Sequence, residues 1–226
     1  MPQLGDAAEL WPLLAPGPLY SALVPNMKGL ERAVSVGVER IAVFTAASDA
    51  FTQKNIAMTV EESVGAFGEV VAAFRSSVRD GFVRGYVSTV VECPYSGRVP
   101  PDSVARVVDR LFGIGVDEVS LGDTIGVAVP RDALEVCSAV AHVPKDKVAW
   151  HFHDTRGTAV ANVAAVLDKG YGAFDSSAGG LGGCPYAPGA GGNLATEALV
   201  YFLERSGQKT GVDITALAKA SLPVLE

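Results

Sequence analysis

The sequence contains no apolar stretch of the roughly 18 residues that a membrane-spanning helix needs, so no transmembrane segment is expected. Between Met1 and Glu9 there is no basic stretch leading into an apolar one, which argues against a secretory or transit peptide. Basic residues number 18 against 25 acidic ones, for a net charge of -7, and no lysine or arginine cluster stands out, which disfavours a nucleic-acid surface. Cysteine is scarce as well. Three cysteines without close pairing fit reduced thiols in a cytoplasmic protein better than a disulfide framework. What the chain does have is apolar residues and glycine. With 49% hydrophobic residues and 25 glycines in 226 positions, it reads as a single α/β domain over 1–226 with a substantial core.

Apolar, β-rich runs fall at 19–25, 40–45, 83–92, 118–123, 147–153 and 173–177. Helical patterns lie between them, at 29–36, 60–77, 101–113, 130–142 and 158–169, with another at 193–205. Strands that each lead into a helix imply a parallel sheet covered on both faces. Six βα units point either to an open doubly wound sheet or to most of a (β/α)₈ barrel. The polar residues decide between them. Glu92, Asp123, His151 with His153, and Ser176 with Ser177 all fall at or just after the C-terminal ends of different strands, the ends that converge on one mouth in a barrel. A dinucleotide fold would carry its glycines after the first strand, whereas here they follow the last one. Those glycines lead into a helical segment, so the run also offers a phosphate cradle that contributes to ligand binding.

The chemistry concentrates between 151 and 193. In a strand, residues two apart share a face, so His151 and His153 aim at one point while Phe152 faces the other layer. Two converging imidazoles make half of a metal site, the alternative being a plain hydrogen-bonded pair. Cys184 sits in a glycine-rich stretch, Gly179 to Tyr186, where a loop can carry it to a ligand; by itself it would pass for a small packed residue. Asp123 has the alternative of capping a helix or binding a loop amide. Cys93, Cys137 and His142 read as structural.

Several segments together resemble the 3-hydroxy-3-methylglutaryl-CoA lyases of the metal-dependent (β/α)₈ metallolyase superfamily. They are His151-Phe-His-Asp-Thr155, Asn162, Asp175-Ser-Ser177, the GLGGCPY loop ending at Tyr186, and Gly192-Asn-Leu-Ala-Thr-Glu197. Upstream, Val24-Pro-Asn26, the segment from Glu92 to Gly97 and Leu121-Gly-Asp-Thr124 extend the likeness over nearly the whole chain. The resemblance implies a TIM barrel, N-terminally incomplete, with about six of eight βα units present. It implies His151, His153 and Asn193 as metal ligands, with a carboxylate from the family's first strand completing the set. Mg²⁺ or Mn²⁺ would suit such donors, and Zn²⁺ or Co²⁺ would also bind them.

The implied reaction is retro-Claisen cleavage of an acyl-CoA substrate to acetoacetate and acetyl-CoA, as in leucine catabolism. Cys184 would protonate the enolate, His151 would assist proton transfer, and Asp123 and Glu197 would support the site, Glu197 from one helical turn beyond Asn193. A homodimer is the family's usual assembly. The family's Arg-Asp pair of strand one and glutamate of strand two have no counterpart here, which leads one to expect open sheet edges and a misplaced start codon. Two further readings remain open: a related acyl-CoA lyase or aldolase, and a non-catalytic fragment acting as an interaction protein.

Overall fold

The computed structural model describes residues 5–16, 19–183 and 191–225. In chain order its elements begin with α1 (Ala7–Leu10), β1 (Ala22–Leu23), α2 (Met27–Ser35), β2 (Arg40–Ala46), α3 (Asp49–Ile56), α4 (Val60–Ser77) and β3 (Phe82–Ser88). There follow β4 (Glu92–Cys93), β5 (Gly97–Arg98), α5 (Pro101–Gly113), β6 (Glu118–Asp123), α6 (Pro130–Ala139) and β7 (Val148–Phe152). The chain continues through α7 (Ala159–Leu167), β8 (Ala173–Asp175), α8 (Thr196–Arg205) and α9 (Ile214–Leu225). No helix among the described residues is long and apolar enough to cross a membrane.

Local chemistry sets the helix starts. Asn26 caps α2 by accepting from the Gly29 amide at 2.9 Å. Thr59 and Glu62 form a reciprocal capping box at the head of α4. Pro101 and Pro130 occupy first helical positions, where the missing N–H costs nothing.

Six strands form one parallel sheet in the order β1-β2-β3-β6-β7-β8. The order follows the sequence without a reversal, and right-handed crossovers then put every helix on the same side. Consecutive helices from α4 to α8 touch one another in turn, as one layer must. This corrects the expectation of helices on both faces: the arrangement is that of a barrel wall, with one face turned inward.

Alternation divides the strands between the two faces. In β3, Val83, Gly85 and Val87 are matched in register by Val119 and Leu121 of β6, and these by Val148 and Trp150 of β7. All of these apart from Gly85 belong to the buried core under the helices, with Phe74 of α4 and Leu111 of α5. Gly85 is where α5 comes closest to the sheet: a Cβ there would stand 3.0 Å from Leu111 Cδ1, so the site accepts no larger residue without displacement. The alternate residues Arg84, Tyr86, Glu118, Ser120, His151 and Asp175 face inward, and they are polar.

Two of the boundaries that differ from the sequence reading bear on the site. β3 ends at Ser88 because Thr89 takes a left-handed φ of 57° and gives its N–H to Thr124 Oγ1. Glu92 therefore lies in a separate hairpin, opposite Arg98, and not at the end of a barrel strand. The last helical segment starts at Thr196 rather than 193, which leaves Asn193 in extended backbone.

Leu111 is fully buried, and its truncation leaves a cavity beneath β3. Leu111→Ala is expected to cost about 2–5 kcal/mol, read from the denaturant midpoint at unchanged slope.

Candidate metal centre

The C-terminal end of β7 delivers the two histidines, and a returning segment delivers the asparagine opposite them. Asp154 N–H donates to Gly192 O at 3.1 Å and Leu194 N–H to Phe152 O at 3.0 Å, so Asn193 forms an antiparallel bridge with His153. Beyond it, Ser177 and Ala195 bridge in parallel, closed by Ser177 N–H to Leu194 O at 3.0 Å and Thr196 N–H to Ser177 O at 2.8 Å. The segment is thus stitched between the ends of two neighbouring strands.

Backbone crowding sets the geometry of that segment. A Cβ on Gly192 would lie 2.0 Å from the Gly180 carbonyl oxygen, a separation that no side chain can occupy. The Asp-Thr that follows the histidines serves the same scaffold. Asp154 Oδ1 accepts the Ala159 amide at 2.9 Å at the start of α7, and Thr155 Oγ1 accepts the Gly191 amide at 2.8 Å.

His151 Nε2 and His153 Nε2 stand 3.4 Å apart. The His153 Nδ1 donates to the Gly191 carbonyl at 3.2 Å, which leaves its Nε2 as a bare lone pair. Burial, aided by the neighbouring His151, holds the His153 imidazole below its ordinary pKa, and the Gly191 contact opposes this only in part. Histidine kept neutral is the ligand form. The Asn193 Nδ2 donates to Leu181 O at 2.8 Å, which fixes the amide, and its Oδ1 is buried with no hydrogen-bond partner. A buried carbonyl oxygen left without a donor costs about 1–3 kcal/mol unless something positive meets it.

These features fit a divalent cation. Two ligands at about 2.1 Å from one ion stand about 3.0–3.4 Å apart for angles between a right angle and the tetrahedral value. Among the described residues no three His, Cys, Asp or Glu converge on a point. The groups gathered here that could hold a cation are therefore two imidazoles and an amide oxygen.

On the inner face beside the histidines lies a network that the sequence reading did not single out. Arg84 donates to Asp175 Oδ1 at 2.7 Å and also pairs with Glu118. Ser120 Oγ donates to Asp175 Oδ2 at 2.7 Å, and His151 Nδ1 lies 3.4 Å from that same oxygen. Tyr86 meets the His151 ring edge-on at 6.2 Å between centroids. Burial would raise the Asp175 carboxyl, yet His151, Arg84 and Ser120 together hold it below the usual carboxylate range. Burial likewise opposes the charge on Arg84, but Asp175, Tyr86 and Glu118 outweigh it and raise its pKa. The available signal was Arg84 and Tyr86 on alternate positions of an otherwise apolar strand.

The remaining expected site residues fall elsewhere. Asp123, buried at 1% exposure, accepts the amides of Val127 at 3.1 Å and Ala128 at 2.9 Å, and so holds the loop after β6. That is the loop-amide alternative. Glu197 does not orient Asn193, because Asn193 lies outside the helix and the i, i+4 argument fails. Its carboxylate takes the Gly179 amide at 2.9 and 3.1 Å and the Ser221 hydroxyl at 3.1 Å, tying the turn after β8 to α9. Cys184 lies in 184–190, outside the described residues. Cys93 and Cys137 are free and buried. His142 pairs with Asp109 at 2.7 Å on the surface.

Fold and site define a (β/α) barrel with two histidines and one asparagine amide gathered at the C-terminal mouth. Comparison with known proteins narrows this further. The family model described as HMGL-like matches residues 13–224. A hydroxymethylglutaryl-CoA lyase from Pseudomonas mevalonii is 46% identical, over 99% of this chain and 75% of that protein. The 3-hydroxy-3-isohexenylglutaryl-CoA/hydroxy-methylglutaryl-CoA lyase of Pseudomonas aeruginosa is 48% identical, over 97% of this chain and 74% of its own length. The crystal structure of hydroxymethylglutaryl-CoA lyase from Pseudomonas aeruginosa superposes with a TM-score of 0.94 at 46% identity, covering 99% of this chain and 75% of that one. The chain belongs to the HMGL-like family.

The crowding at Gly192 yields a direct test. Gly192→Ala is expected to displace Asn193 and weaken Mn²⁺ binding at least about tenfold, the lower end of what disturbing a ligand's support costs. Titration followed by the electron paramagnetic resonance of free Mn²⁺ measures it, and unchanged affinity would contradict the ligand role of Asn193.

Proposed function

We propose that the chain is a hydroxymethylglutaryl-CoA lyase polypeptide, a carbon–carbon lyase that cleaves 3-hydroxy-3-methylglutaryl-CoA to acetoacetate and acetyl-CoA. The observation that carries this reading is 46–48% identity to lyases of that activity across 97–99% of the chain. His151, His153 and Asn193 would hold the cation, for which Mg²⁺ or Mn²⁺ fits oxygen-rich coordination. Once bound, such a cation supplies Lewis-acid polarisation of the substrate's hydroxyl and carbonyl oxygens.

The protein's own groups handle the protons. The tertiary hydroxyl must lose its proton to a base, a step that His151 would assist as a ligand, since its Nε2 is then committed to the cation and its Nδ1 carries a proton. The oxygen lone pair then forms the ketone of acetoacetate as the C2–C3 bond breaks, and its electrons pass into the enolate of acetyl-CoA. Cys184 Sγ–H returns a proton to C2. Two free buried thiols, Cys93 and Cys137, favour a reducing, cytoplasmic setting.

A second reading follows from the Pseudomonas aeruginosa relative, whose name pairs this substrate with one bearing a longer 3-substituent. Turnover of 3-hydroxy-3-isohexenylglutaryl-CoA beside 3-hydroxy-3-methylglutaryl-CoA separates the two. Acetoacetate released from the latter with Mg²⁺ or Mn²⁺ supports the first, and no release with either metal contradicts it. Cys184→Ala is expected to lower kcat by about 100-fold or more, the scale of a lost general acid, while Mn²⁺ affinity stays constant. Turnover within twofold of wild type would remove Cys184 from the mechanism.

A further inference from the structure

The inner-face network contains a carboxylate that neither ligand assignment nor the proposed proton transfers require. Asp175 sits at the end of β8, in register with His151 on β7, and both side chains face inward. Three groups converge on its two oxygens: Arg84 on Oδ1 at 2.7 Å, Ser120 on Oδ2 at 2.7 Å, and His151 Nδ1 at 3.4 Å from Oδ2. His151 Nδ1 is buried and makes no hydrogen bond among the described residues, its 3.4 Å approach to Asp175 Oδ2 being a charge contact. The other ring nitrogen of His151 faces His153 Nε2 at 3.4 Å.

From this geometry we infer that Asp175 is a positioning residue: it sets His151 in the Nδ1–H tautomer, so that Nε2 presents its lone pair to the cation, with Arg84 and Ser120 fixing the carboxylate. The inference rests on the reading of His151 as a ligand. His153 solves the same problem with the Gly191 carbonyl, so each histidine has an acceptor behind it and an open nitrogen in front. The 3.4 Å contact need shorten by only a few tenths of an ångström to become a full hydrogen bond. Arg84 matters because it comes from β3, three strands away from β8 in the sheet order, and takes the carboxylate oxygen that His151 does not face. Its guanidinium takes Oδ1, which leaves Oδ2 to Ser120 and His151.

Asp175→Asn tests this with little change in shape. An amide can turn its NH₂ toward His151 Nδ1, which favours the Nε2–H tautomer, the effect of the same replacement behind a catalytic histidine elsewhere. Two-bond ¹⁵N–¹H correlation on the metal-free protein reads the tautomer directly. Wild type is expected to show His151 protonated on Nδ1, and Asp175→Asn to shift it to Nε2, with Mn²⁺ affinity falling about 10–100-fold. Ser120→Ala removes one support yet leaves the acceptor, and is expected to keep the wild-type tautomer. If Asp175→Asn melts at a lower temperature but retains the Nδ1–H tautomer and wild-type Mn²⁺ affinity, Asp175 is a sheet clamp only and the inference is overturned. If wild type binds no Mn²⁺, the ligand assignment falls and this inference with it.

Discussion

The contact between Arg84 and Asp175 is the constraint on which the rest of the interior depends. In a flat sheet β3 and β8 would lie three strand spacings apart, about 14 Å, with their side chains upright. A 2.7 Å bond between them is possible only if the sheet curls. Curvature turns a row of strand ends into a mouth, and it leaves room on the inner face for His151, Ser120 and Tyr86 around one carboxylate. The pair is largely withdrawn from water, with side chains 24% and 17% exposed, so its worth depends on the accompanying ion pair with Glu118 and hydrogen bond from Ser120. Removing one partner would leave a charge without compensation, a larger loss than the net contribution of the pair itself.

Above that floor, the site is built from backbone rather than from further charges. The segment returning from the glycine-rich stretch is sewn to residues 152–154 on one side and 177 on the other, and this brings Asn193 opposite His153. Thr155, Asp154 and Glu197 each take one backbone amide and hold the surrounding turns. Several residues of the family motifs therefore act through loop geometry. Asp123 and Glu197 likewise spend their oxygens on backbone amides, Glu197 also on the Ser221 hydroxyl.

Much of the fold was legible because its periodicities are strong. The runs at 40–45 and 118–123 and the helices at 60–77 and 101–113 coincide with observed elements to within a residue. The short hairpin at Glu92 and Gly97, with two residues in each strand, carries no periodic signal, and its presence depends on a left-handed Thr89 that sequence does not announce. α3 was missed because its eight residues have no apolar face to detect. In the site, the histidine pair could be read from spacing two along a strand, whereas Asn193 rested on family likeness alone. Its placement comes from tertiary hydrogen bonds, and local propensity wrongly put it in a helix. Arg84 and Asp175, 91 residues apart, meet only after the sheet has curled, so no local pattern links them.

The central claim is that His151, His153 and Asn193 hold one divalent cation at the mouth of the barrel. Electron spin echo modulation of Mn²⁺ bound to the wild-type protein tests it most directly, since each coordinating imidazole nitrogen leaves its own modulation. The account predicts two histidine nitrogen couplings in wild type and a single one after replacement of His153 by alanine. A spectrum with no nitrogen coupling, or one unchanged by that replacement, would show that the cation binds elsewhere and would contradict the account.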